Sequence, residues 1–293
     1  MNNGNQNAYL LIDNGLLEEV SASYTEVDSK NRPLWLEPIY PDHALAVSPL
    51  LVDLDAAYEA GDIDRVMSYV NARKPALHVS IIETEPGFEQ IAQHLRRFIF
   101  IVSPDDKQFT LRYADCTVLA PLSVVLTKAQ WATIKGPISR WGVHDRSGTL
   151  IPLSPAEPVE YAPTPFSLTH DQLAALDEAS EPDHCIAKVK MMGHGLPLTG
   201  NTAEQHAWAL AARQAWRAAG NSNSLILLFL TEAALISRCE ILNRPEIQNF
   251  LAINAPAEFR IKISALINET RDSRHQPLQN ETSNEESNAI NYI

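Results

Sequence analysis

The chain has 293 residues, 45% hydrophobic and 20% charged, with 23 Lys and Arg against 36 Asp and Glu for a formal net charge of −13. This composition excludes a collagen-like, disordered or membrane-embedded chain, and the length suits one large domain or two smaller ones. The carboxylate excess repels phosphate backbones and anionic headgroups, so neither nucleic acid nor a membrane surface is expected as a partner. Cys116, Cys185 and Cys239 form no CxxC and cannot all pair within the chain, as expected of thiols in a reducing compartment. Met1–Asn7 lacks the basic and apolar parts of a secretory signal, and the longest apolar run, Leu225–Leu230, falls short of the ~20 residues of a membrane span. A cytoplasmic protein is expected.

In chain order, Tyr9–Asp13 (YLLID) reads as a strand turning at Asn14-Gly15, and Leu16–Ser23 as a helix. Leu34–Ile39 and Leu45–Leu51 are strand-like and flanked by proline. Ile63, Val66, Met67 and Val70 make the stripe of a half-buried helix over Asp62–Asn71. Leu77–Ile82 alternates like a strand, with His78 and Ser80 on the face opposite Leu77, Val79 and Ile81, and Pro86–Arg97 returns to helical spacing. Phe98–Ser103 and Gln108–Tyr113 flank a short polar turn and predict a β-hairpin, with Phe109, Leu111 and Tyr113 on one face. Helices follow over Val118–Leu126 and Thr127–Ile134, the second opened by a capping box from Thr127 to Gln130. Strands interleaved with helices predict an α/β lobe over residues 1–150, and the hairpin predicts that its sheet is mixed.

Residues 151–166 hold five prolines and predict an extended linker over the surface between two lobes. Helical periodicity then takes over across residues 167–267, an all-α lobe. It opens with a capping box at Thr169 and Gln172, and helices follow from Thr202 to Gly220, over Ser224–Leu242, and after Pro245 and Pro256. In the Ser224–Leu242 helix, Leu225, Leu228, Phe229, Ile236 and Cys239 align. Residues 268–293 read as a disordered polar tail. Two lobes joined by a strap would leave a cleft for a partner segment.

The common catalytic signatures GxSxG, HExxH, the Walker loop and GxGxxG are missing, and no cofactor or nucleotide is expected. The glycine-rich stretch Met192–Asn201 lacks the Lys-Ser or Lys-Thr that would grip phosphate. Asp183, His184, Cys185 and His194 are the candidates for a metal cluster, but their spacing fits no zinc arrangement and no metal is expected. More informative is the run from His94 to Asp115. Arg96 and Arg97 close a helix, where cations complement its dipole. Arg112 either pairs with Asp115 or a neighbouring carboxylate, or offers a polar platform to a partner.

At these residues the chain resembles the type VI secretion adaptor or chaperone family, the Tap or Tec proteins catalogued as domain of unknown function 4123. That family opens with a strand of the form YALLDGA, matched by Tyr9–Gly15, followed by a PYLV-L element at Pro49–Leu54. A helix ending HLR follows at His94–Arg96, then a hairpin ending FRFYDPRVL at Thr110–Leu119, and GPI--W at Gly136–Trp141. Cys116-Thr117 departs from the family's Pro-Arg, so one basic group beside the hairpin is absent. The resemblance implies a non-enzymatic adaptor that binds a cognate secreted effector and helps load it onto the VgrG spike. A hydrolase with a dispersed active site, or a structural component of the secretion machine, are the alternatives. The partner surface is expected at Arg96, Arg112, Tyr113 and Asp115, with Trp208 and Trp216 from the helical lobe.

Overall fold

Strand β1, Asn7–Asp13, carries Leu10, Leu11 and Ile12, each at most 5% exposed, because the sheet it centres is covered on both faces. A computed structural model describes residues 6–18, 32–157, 159–160, 162–192 and 198–275. Two compact units divide it, at Glu181 and Pro182.

In the first unit the further strands are β2 (Leu36–Pro38), β3 (Pro49–Asp53), β4 (Val79–Thr84), β5 (Phe100–Val102), β6 (Gln108–Thr110), β7 (Ile138–His144) and β8 (Leu150–Pro152). Six of them pair in the order β2-β3-β1-β4-β7-β8, with every pairing antiparallel. Both edge strands are three residues long and end in proline. The hairpin β5–β6 stands apart as its own ribbon and does not make the main sheet mixed. All three residues of β6 are exposed, so it has no apolar face to place in a sheet covered on both sides.

Helices α1 (Asn14–Glu18), α2 (Leu54–Glu59) and α3 (Ile63–Val70) supply one cover, with Leu17, Ala57, Val66 and Tyr69 packed against Leu10, Ile12, Leu50 and Val52. Helices α4 (Phe88–Arg96), α5 (Cys116–Val125) and α6 (Lys128–Lys135) supply the other, through Ile91, Leu95, Leu119, Leu122, Trp131 and Ile134. Several details differ from the periodicity. Asn14-Gly15 opens α1 instead of forming a turn, and the expected continuation of that helix past Glu18 lies outside the described residues. Residues 42–47 coil into a 3-10 helix ahead of β3. Met67 is 43% exposed while Tyr69 is buried, and His78 and Ser80 are fully buried.

The proline-rich segment is fastened to the first unit along its length. Leu153 and Phe166 enter the core, the Trp131 indole donates to the Ser154 carbonyl at 3.1 Å, and Leu168 N donates to the Val102 carbonyl at 2.8 Å. The segment lies against the α/β core because those apolar side chains find sites there.

From residue 170 onward the described residues contribute helices and no strand: α7 (His170–Met192), α8 (Thr202–Ala218), α9 (Ser224–Ser237), α10 (Glu246–Leu251) and α11 (Pro256–His275). The capping box of Thr169 and Gln172 forms as expected. The second unit has its own core of Ala212, Trp216, Ile226, Leu227, Leu230, Phe259, Ile263 and Leu266. Helix α9 stops at Ser237, short of Leu242, because Arg238 and Cys239 both turn left-handed, with φ of 54° and 68°. The Cys239 N–H then bonds back to the Ala234 carbonyl at 2.8 Å. Helix α11 runs to His275, beyond the Asn268 at which the polar composition predicts disorder, and residues 276–293 lie outside the described residues.

Candidate functional site

Asp13, where the apolar run of β1 ends, is 4% exposed. One carboxylate oxygen accepts the Leu16 N–H at 3.1 Å, and the other accepts Arg112 Nη2 at 2.9 Å. The same nitrogen lies 3.6 Å from Asp115, which caps α5 by accepting the Thr117 N–H at 2.9 Å. Arg112 thus joins the end of β1, the segment leaving β6 and the start of α5. Its side chain is 51% exposed above two carboxylates that are 6% and 9% exposed. Among the described residues both contacts use Nη2, so the other edge of the guanidinium faces outward for a further acceptor.

Desolvation opposes the Arg112 charge, but Asp13 in contact, helped by Asp115, outweighs it and raises the pKa above the usual arginine value. Burial pushes the Asp115 carboxyl upward, against the hydrogen bonds from Thr117 and the charge of Arg112. Tyr40 completes the surroundings. Its hydroxyl donates to the Leu111 carbonyl at 3.4 Å, and burial, then Asp13, push its pKa up to about 12.

Arg112 and Asp115 therefore come together, with Asp13 as the partner the sequence pattern does not reveal. Arg96 belongs to a separate pair: it bonds Glu37 and donates to the Pro38 carbonyl at 3.2 Å, tying α4 to β2. Tyr113 must be withdrawn from the partner surface. It is 1% exposed and donates to the Leu95 carbonyl at 3.0 Å, a core residue with no face to offer. In the second unit, Trp216 is also a core residue, its indole donating to Asn221 and the Asn223 carbonyl, both at 3.1 Å. Trp208 lies partly buried over Gly200, where φ is +76° and an added Cβ would come within 2.5 Å of the ring.

The buried groups beside β4 serve the fold. The Cys116 thiol donates to the Val79 carbonyl at 3.2 Å, and burial pushes its pKa up to about 12, which keeps it protonated and a poor nucleophile. His78, fully buried, holds the Tyr69 carbonyl at 2.8 Å, and desolvation lowers its pKa, which favours the neutral ring. Of the metal candidates, His194 lies outside the described residues, and Asp183, His184 and Cys185 lie along α7 with Cys185 in the core. Among the described residues no three His, Cys, Asp or Glu side chains gather as metal ligands. No described helix is long and apolar enough to cross a membrane.

A second surface lies within the helical unit. Leu225 and Phe229 of α9 and Ala257, Arg260, Ile261 and Ser264 of α11 line an open apolar groove of about 760 Å³. Leu225 is 50% exposed and Ile261 73%, and the Arg260 guanidinium lies 5.1 Å over the Phe229 ring. The stripe on which Leu225 aligns with Leu228 and Phe229 is not the buried face, which runs through Ile226, Leu227, Leu230 and Ala234, because α9 is apolar on several sides and gives no phase.

Neither a curated protein nor a solved structure matches the chain. A family model described as Domain of unknown function (DUF4123) matches residues 8–133, a stretch that contains Asp13, Arg96, Arg112 and Asp115 and stops short of the helical unit.

Proposed function

We propose that the protein is a non-enzymatic adaptor that binds a secreted effector of a type VI secretion system and assists its loading onto a VgrG-type spike. The observation that carries this reading is the match of residues 8–133 to DUF4123, a family associated with such adaptors. The geometry adds a contact suited to the task. Arg112 is held by two buried carboxylates, so little side-chain entropy is lost when its outer edge meets a carboxylate or carbonyl of the client. The buried, protonated Cys116 and the hydrogen-bonded His78 fit a scaffold better than acid–base chemistry.

The test is co-expression of the full chain with the products of neighbouring genes, followed by affinity purification. A defined heterocomplex containing an effector or spike protein is the expected outcome. Hydrolytic turnover by the purified chain, with no such complex, would replace the adaptor with an enzyme. Within a complex, Arg112→Ala is expected to weaken client affinity about 30-fold, or about 2 kcal/mol. Because Arg112 also neutralises Asp13, Arg112→Lys is measured beside it. Lys keeps a charge near Asp13 but loses the planar fork, so weak binding with an unchanged melting temperature assigns the fork to the client.

A further inference from the structure

The ribbon of β5 and β6 has one margin taken and one open. On the β5 side, the Val102 N–H donates to the Phe166 carbonyl at 3.2 Å, and the Val102 carbonyl accepts the Leu168 N–H at 2.8 Å. On the β6 side, the ladder fixes which groups are used. The Ser103 N–H bonds the Lys107 carbonyl and the Leu111 N–H bonds the Ile99 carbonyl, both at 2.8 Å, with Ile101 and Phe109 paired between them. Bonded pairs alternate along an antiparallel ladder, so Phe109 turns its backbone toward β5 while Gln108 and Thr110 turn theirs outward. Among the described residues, the N–H and carbonyl groups of Gln108 and Thr110 have no hydrogen-bond partner, and both residues are exposed.

Outward donors and acceptors at this spacing match another extended backbone. The same margin offers an apolar contact, since Phe109 is 50% exposed. No proline interrupts β6, whereas both margins of the main sheet end in one, at Pro38 and Pro152. Charge gives the occupant a direction. In the turn before β6, Asp105 and Asp106 are exposed and outnumber Lys107, and none of the three is in an ion pair among the described residues. Beyond the other end lies the outward edge of the Arg112 guanidinium, and with two carboxylates already beneath it a neutral carbonyl suits it best. From Asp106 to Arg112 an extended chain covers about 20 Å at 3.3 Å per residue, the length of a segment of about six or seven residues. We propose that the outer margin of β6 takes up an extended segment of a partner protein as a further strand. A basic residue of that segment lies beside Asp105 and Asp106, a β-branched or aromatic side chain packs on Phe109, and a main-chain carbonyl meets Arg112. This deepens the adaptor reading and rests on it for the source of the segment, but its test needs no client.

The probe is a phage-displayed library of randomised peptides about ten residues long, selected on the immobilised full chain. Selected peptides are expected to be rich in Val, Ile, Thr and aromatic residues and to carry Lys or Arg toward one end. In amide hydrogen exchange of the free chain, Phe109 should be protected and Gln108 and Thr110 open. A saturating selected peptide should slow exchange at Gln108 and Thr110 at least about tenfold. Thr110→Pro removes one outward N–H and no internal bond, so it should weaken the peptide at least about tenfold at an unchanged melting temperature, while Thr110→Val keeps the affinity. If the proline variant does not fold, exchange on the native chain decides alone. A selection that yields no peptide, or peptides that leave exchange at Gln108 and Thr110 unchanged, would overturn the proposal. Protection of these two amides that grows with protein concentration, without peptide, would also overturn it and assign the margin to a second copy. Failure of the chain to capture the products of neighbouring genes would sink the adaptor reading and leave this result standing.

Discussion

The two units hold themselves together in different ways. In the first, side chains far apart in sequence meet through directional contacts: Asp13 with Arg112, Glu37 with Arg96, the Trp141 indole with Ser80 at 3.0 Å, and His94 with the Ile134 carbonyl at 2.7 Å. The second is built on apolar helices packed around Trp216, Leu230 and Phe259, with Asn201 and Asn223 capping two of them and Asn221 donating to the Leu251 carbonyl at 2.7 Å. Directional contacts fix one arrangement and leave little slack. Packing tolerates more, and it leaves a groove on one side.

The contrast can be broken first at Leu230, fully buried in the helical core. Leu230→Ala is expected to cost about 4 kcal/mol, read by chemical denaturation, with faster hydrogen exchange confined to α8, α9 and α11. Loss of protection across β1 and β4 as well would mean that the units do not unfold separately. The matching probe of the first unit is Gly136, where φ is +43° and an added Cβ would lie 2.3 Å from His94 Cε1. Gly136→Ala is expected to cost about 3 kcal/mol, from strained backbone and overpacking together. A change below about 0.5 kcal/mol would show that the ring has room to move.

Acidity gives a smaller effect. Burial lowers the pKa of both His78 and His94 below the usual 6.5. The unfolded chain therefore binds more protons as pH falls below about 6.5, and stability declines from there toward the folded-state values. Above pH 6.5 this contribution is complete. The slope is at most about 1.4 kcal/mol per pH unit for each histidine, and it should appear in hydrogen exchange of β4 and α4. His94→Gln should flatten it, and an unaltered slope would clear His94 of the acid sensitivity. The smallest expected change is Leu225→Ala, within about 0.5 kcal/mol, since that side chain is half exposed. A cost near that of Leu230→Ala would place it in the core after all.

The sequence pattern was most informative where few residue choices fit. The Thr127 and Thr169 capping boxes form as expected, because a hydroxyl three positions before a glutamine has few other roles at a helix start. Strand β7 escaped notice for a physical reason. A register shift between Glu83 and Thr84 places two successive exposed residues, Ser139 and Arg140, between Ile138 and Trp141, and alternation fails there. The turn after it was not read either, although Asp145 accepts the N–H groups of Ser147 and Thr149 in a loop closed by Gly148. In the candidate site, Arg112 and Asp115 stood out as polar residues beside an apolar strand. Asp13, 99 positions away from Arg112, could not, because nothing local records which strand end meets which helix start. The inward face of α9 was equally hidden, an apolar helix giving no phase to read.

The two edges of the main sheet carry a consequence of their own. Strands β2 and β8 are three residues long and end at Pro38 and Pro152, neither of which has an N–H to offer a further strand. With both margins blunted in this way, an extended segment of another chain meets little backbone on which to grow the sheet outward.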